Sequence, residues 1–171
     1  DNPALVLCQM LAALRDKRGR IAVPGFYDRV QKLTRYEREQ MKRLPISAAQ
    51  YRRLLGVKAL FGEMGYTHHE QRSARPTLEI NGLTSGYQGE GSKTIVPAWA
   101  SAKLTCRLVP NQDPREINRL LKRQLKKLCP PSVKLEIEDG HGAEAYHVPP
   151  PGPQAQVALE ALREAFGHEP V

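Results

Sequence analysis

Between Ala98 and Leu108 the side chains alternate without a break. Ala98, Ala100, Ala102, Leu104, Cys106 and Leu108 fall on one side, and Trp99, Ser101, Lys103, Thr105 and Arg107 on the other. A period of two is the mark of a strand with one buried and one wet face, because successive side chains of an extended chain point to opposite sides. Such a strand cannot stand alone: its apolar face must be covered and its backbone N–H and C=O groups must be paired. The sequence offers two partners. PTLEINGL, residues 76–83, sets Leu78 and Ile80 against Thr77, Glu79 and Asn81, and SVKLEIED, residues 132–139, points Val133, Leu135 and Ile137 inward.

The cover comes from helices. Asn2 caps a helix over residues 3–14 that has Pro3 in its first turn, and Leu5, Leu7, Cys8, Leu11 and Leu14 leave it little polar face, so heavy burial is expected. Pro114 opens a second, with Ile117, Leu120, Leu121, Leu125 and Leu128 on one stripe and six basic residues opposite, until Pro130-Pro131 stops it. Between the first helix and the strands, Thr34-Arg35-Tyr36-Glu37 is a capping box for a helix to about Leu44, and Ser47 caps another to Leu55. A loop or helix rich in His and Arg then runs to Ala74. HVPPPGP, residues 147–153, is a stiff connector to a last amphipathic helix.

The order helix, strand, strand, helix, strand predicts an α+β fold. It is a two-layer, ferredoxin-like sandwich with helices on one face of an antiparallel sheet, its first strand missing, and a helical insertion over about residues 18–74. The missing strand is read here as a sign that the chain was cut from a longer one. Residues 1–150 form one domain in this reading, and residues 151–171 a connector and one further helix.

The 171 residues carry 26 Lys and Arg against 18 Asp and Glu, a net charge of +8 that can steer anionic partners. This keeps a basic α/β nucleic-acid-binding module as the alternative. Against it, RNA-binding sheets of this topology stack bases on aromatics, and the open face offers essentially Trp99. No apolar run approaches the ~20 residues of a membrane span. Three cysteines, Cys8, Cys106 and Cys129, all beside apolar neighbours, read as buried thiols of a reducing, cytoplasmic compartment.

Self-contained catalytic chemistry is hard to find. His68-His69-Glu70 lacks metal-ligand spacing, and the glycines at 86, 89 and 91 precede a strand where a phosphate cradle needs a helix N-terminus. Three polar residues do sit where a strand meets a turn: Thr94, Arg107 and His141. The planar fork of Arg107 suits bidentate contact with a carboxylate, and His141 lies between two glycines. Each has an ordinary structural reading as well. Arg107 can pair with Glu79 or Glu136 across the sheet, Thr94 can be a strand former, and His141 a loop histidine.

NPALVLCQMLAALRDKRGRIAVPGFYDRV, ARPTLEINGLTSGYQGEGSKTIVPAWASAKLTCRLVP, the GHG turn at residues 140–142 and QVALEALREAFGHEPV together resemble the zinc-dependent dipeptidases related to carnosinase, which group with carboxypeptidase G and the succinyl-diaminopimelate desuccinylases. The resemblance implies a catalytic domain with two zinc ions and a smaller inserted domain that dimerises and acts as a lid. This chain resembles the lid over residues 1–150 and the first helix of the returning catalytic domain after it. By the same resemblance, Arg107 in RLVP holds the substrate carboxylate. Thr94 in KTIVP reaches into the active site of the other subunit, and His141 in GHG lies near the bound substrate. The zinc ligands and catalytic glutamate have no counterpart here, so this chain alone is expected to bind no metal and to be inactive. The implied partners are a second copy, joined through the sheet edge and helix 3–14, and a peptide or acyl-amino-acid substrate, with no nucleic acid and no membrane.

Overall fold

The computed structural model describes residues 1–147 and 152–170. Helix α1 (Pro3–Ala12) begins where Asn2 and Pro3 predict, the Asn2 side chain accepting from the Ala4 N–H at 2.9 Å. An insertion follows with three short helices, α2 (Arg35–Lys42), α3 (Ala48–Leu55) and α4 (His68–Ala74). Each opens on a complete capping box, Thr34 with Glu37, Ser47 with Gln50 and Thr67 with Glu70, so two orphan donors at each start are satisfied reciprocally. Strands β1 (Thr77–Ser85) and β2 (Ala100–Arg107) form an antiparallel ladder in which Thr77 faces Arg107 and Ser85 faces Ala100, with an irregularity between Ile80 and Gly82. Helix α5 (Pro114–Leu128), capped by Asp113, and helix α6 (Pro153–Phe166) complete the elements.

The core forms where α1, the following extended segment, β1 and α5 meet. Val6, Met10, Leu11 and Leu14 pack with Ile21, Val23, Phe26, Leu78, Ile117, Leu120 and Leu125. Leu14 and Phe26 are the most deeply buried, and each contributes about 1.5–3 kcal/mol through burial. On β2 the expected alternation holds: Ala100, Ala102, Leu104 and Cys106 are half-buried, while Ser101, Lys103, Thr105 and Arg107 are exposed. On β1 it weakens. Leu78 is buried, but Ile80 and Leu83 are 46% and 54% exposed.

Three expectations change. Residues 132–139 are not a strand: Val133, Leu135 and Ile137 do turn toward the core, but the segment is in no ladder. A cleft of about 440 Å³ is walled by Val6 and Met10 of α1, by Trp99 and Ala100 where β2 begins, and by Val133 and Leu135. The sheet has two strands, and the three-stranded ferredoxin-like arrangement is not present in these residues. Cys8 is exposed, not buried; only Cys106 and Cys129 are partly buried. Likewise α1 buries one face but leaves Leu5 exposed, so its apolar residues outnumber the positions the core can cover. The proline connector at residues 148–151 lies outside the described residues.

The insertion is attached by polar contacts. Arg75 Nε and Nη2 donate to Glu63 Oε2 and Oε1, both at 2.8 Å, and the two side chains are only 9% and 8% exposed. The guanidinium is also sandwiched, 5.0 Å from the Tyr27 ring centroid and 4.3 Å from that of Tyr66. Gln71 Nε2 donates to the Glu63 and Tyr66 carbonyls, and Arg38 Nη1 donates to the buried Glu70 at 2.6 Å. Neither α2 nor α3 buries a residue.

Candidate functional site

Arg107 is the last residue of β2, on the open face of the ladder, and its side chain is exposed. The two carboxylates that a structural role would have used are taken. Glu79 pairs with Arg15 at 3.3 Å, and Glu136 pairs with Lys134. Among the described residues Arg107 makes no ion pair, so its fork is left open to an external anion. On the same face Thr105 donates to Asn81 Oδ1 at 2.7 Å, which fixes the neighbouring polar groups across the irregularity of the ladder.

The chain turns sharply after Arg107, and a residue that the sequence pattern does not single out holds the turn. Gln112 is buried; its Oε1 accepts from the Val109 N–H at 3.0 Å and its Nε2 donates to the Phe26 carbonyl at 2.8 Å. Asn111 beside it adopts φ +72°. The turn delivers the chain to Asp113 and Pro114, where α5 begins. A lone buried carboxamide in a turn has no periodic signature, so no sequence signal short of the Asn-Gln-Asp-Pro turn composition pointed to it.

His141 lies in the extended chain after Asp139 and is exposed. Asp139 accepts from Asn118 Nδ2 at 2.8 Å and pairs with Lys122, and the backbone at Gly142 comes so close to the Pro114 ring that a Cβ there would clash with it. Gly140-His141-Gly142 is thus held beside the start of α5. Thr94 is exposed and sits in the connection from Ser85 to Ala100, which joins the ladder at its other end. The eight residues of β2 span about 23 Å between those ends. Arg107 thus stands at one end of β2 and the Thr94 connection is rooted at the other.

Among the described residues no group of three or more His, Cys, Asp or Glu side chains is arranged to hold a metal ion. His68 and His69 both direct Nε2 at the Ile46 carbonyl, at 2.9 and 2.8 Å, a role in holding the insertion together. No helix among the described residues is long and apolar enough to cross a membrane.

The sequence profile of the peptidase dimerisation domain matches residues 1–133. The chain belongs to that family. Over 99% of its length this dimerisation domain is 26% identical to the Cys-Gly metallodipeptidase DUG1 of Saccharomyces cerevisiae and 27% identical to the human Beta-Ala-His dipeptidase. It spans only 36% and 34% of those two relatives. Among solved structures it superposes on an M20 family metallo-carboxypeptidase, Sso-CP2 from Sulfolobus solfataricus, with a TM-score of 0.85 and 35% identity, covering 99% of this chain and 38% of that one. Human carnosine dipeptidase 1 follows with a TM-score of 0.81 and 27% identity, again over 99% of this chain and 36% of the other. The alternative of a nucleic-acid-binding module finds no support in these relatives.

Proposed function

We propose that this chain is the dimerisation and lid portion of a longer di-zinc dipeptidase, and that Arg107 clamps the terminal carboxylate of the peptide. The observation that carries this reading is the exposed guanidinium at the end of β2 whose possible internal partners, Glu79 and Glu136, are engaged elsewhere. The domain is about a third as long as its relatives, which leaves room for a metal-bearing domain outside it. Two zinc ions held there supply the activated water; the residues of this chain bind and orient. Arg107 fixes the charged tail, His141 hydrogen-bonds near the scissile group, and closure of the lid excludes water.

Thr94 serves the other subunit's site. It is rooted at the opposite end of the ladder from Arg107, and a two-fold dimer offers a second site on that side. The same reading accounts for the cleft beside β2. In a split βαβ sandwich the first strand lies between the third and the last, where the cleft separates Trp99 from Val133 and Leu135. Helix α6, with Val157 and Phe166 exposed, then belongs to the returning catalytic domain, and the enzyme is cytoplasmic.

The test is Arg107→Ala in the longer enzyme. It lowers kcat/KM for a dipeptide by about 10- to 150-fold, equivalent to about 1.5–3 kcal/mol for a charged hydrogen bond. A substrate whose C-terminus is amidated loses much less. Equal losses for the two substrates would remove the carboxylate clamp.

A further inference from the structure

The insertion turns the usual arrangement inside out. Its carboxylates Glu63 and Glu70 are buried against Arg75 and Arg38, whereas Leu54, Leu55, Val57, Phe61 and Met64 face water. Leu54, Phe61 and Met64 are 74%, 71% and 61% exposed. Residues 54–64 contain only two charged side chains, Lys58 and Glu63, and Glu63 is turned inward. On a chain with 26 basic and 18 acidic residues, this is an apolar, almost uncharged surface. Its backbone is fixed. Gly56 closes α3 in the left-handed conformation, Gly19 at φ +76° lets its loop pack directly on the Gly62 carbonyl, and the Met64 N–H donates to the Arg18 carbonyl at 2.9 Å.

This surface continues onto the free edge of β1 through one guanidinium. Arg15 Nη2 donates to the Leu78 carbonyl at 2.9 Å, while Arg15 Cζ lies 5.7 Å from the centroid of the Phe61 ring. Beyond Leu78, β1 has, among the described residues, a ladder partner on one side only, and Ile80 and Leu83 are exposed there. We infer that residues 54–64 form the flank of an interface with a second copy of this chain, so that Phe61 and its neighbours bury against the partner when the two β1 edges pair. The inference rests on the proposed dimerisation role and says what the insertion adds to it. A second copy is the occupant because an unpaired edge is completed by an identical edge about a two-fold axis. The rotation that joins the two edges carries the adjoining Phe61 surfaces to the same seam.

Sedimentation velocity across a concentration range tests it, on the wild type and on Leu83→Asp, Phe61→Glu and Lys126→Ala. The wild type dimerises and Leu83→Asp dissociates it. Phe61→Glu raises the dimer Kd at least tenfold with an unchanged circular dichroism spectrum, and Lys126→Ala, exposed on α5 outside the proposed interface, changes it less than twofold. A Kd within twofold of wild type for Phe61→Glu, with Leu83→Asp still disruptive, overturns the flank and leaves edge pairing standing. A wild type that stays monomeric overturns both. Hydrogen exchange of the wild type is independent of any variant's folding: protection of residues 54–64 rises with concentration, and concentration-independent protection overturns the proposal.

Discussion

Cys8 and Cys106 look alike in the sequence, each a thiol among apolar neighbours, and the fold separates them. Cys8 lies on the outer face of α1, while Cys106 lies on the core side of β2, where burial, and then the charge of Glu79, pushes its thiol up to about 11 from 9.0. A thiol reagent at pH 8 therefore labels Cys8 on the native protein and Cys106 only after denaturation, as read by mass spectrometry of the labelled peptides. The same shift has a stability consequence. The unfolded chain releases the Cys106 proton near 9.0 and the folded chain near 11, so this contribution is whole below the lower value and fades as pH rises between the two. Arg107, the next residue, was legible because alternation alone puts it on the wet face. Gln112, which holds the turn behind it, was not, because its partners Val109 and Phe26 are set by the fold.

At the scale of elements, local chemistry predicted starts better than neighbours. The boxes at Thr34 and Ser47 and the Asn2-Pro3 start stand where the residues place them, since capping involves only a few adjacent positions. Pairing is different. Residues 132–139 carry the right alternation, and their apolar side chains do turn inward, yet hydrogen bonding needs a neighbouring strand that periodicity does not supply. The attachment of the insertion was equally hidden, because Arg75 and Glu63 are ordinary charges until the fold buries them. Arg75→Ala removes the two close charged hydrogen bonds of the buried Glu63, leaves it only the longer Arg20 contact at 3.6 Å, and lowers the unfolding free energy in urea by about 1.5–3 kcal/mol. Replacing both with apolar residues, Arg75→Met with Glu63→Leu, costs less than that single change. A double variant as unstable as Arg75→Ala would mean that the ion pair itself, and not the stranded charge, holds the insertion.

For the whole molecule the decisive feature is the length of β2, which sets Arg107 and the root of the Thr94 connection at opposite ends of the ladder. If each end serves a different active site of a dimer, defects at the two ends complement. In the longer enzyme, Thr94→Ala and Arg107→Ala homodimers are both impaired. Mixed and reassorted, they recover up to about a quarter of wild-type activity, because half the dimers are mixed and each of those has one intact site of two. Recovery no greater than the mean of the two homodimers would place both residues in one site.

From the sequence alone came the element starts, the two faces of β2, the α+β class and the exposure of Thr94, Arg107 and His141, because all of these follow from periodicity, caps and turn residues within a few positions. Tertiary structure decided what depends on distant partners: that Arg15 takes Glu79, that Gly142 docks on Pro114, and that residues 132–139 join no ladder. Short-range preferences act on each segment by itself, whereas ion pairs and ladders form only after the chain has closed the long loops between them.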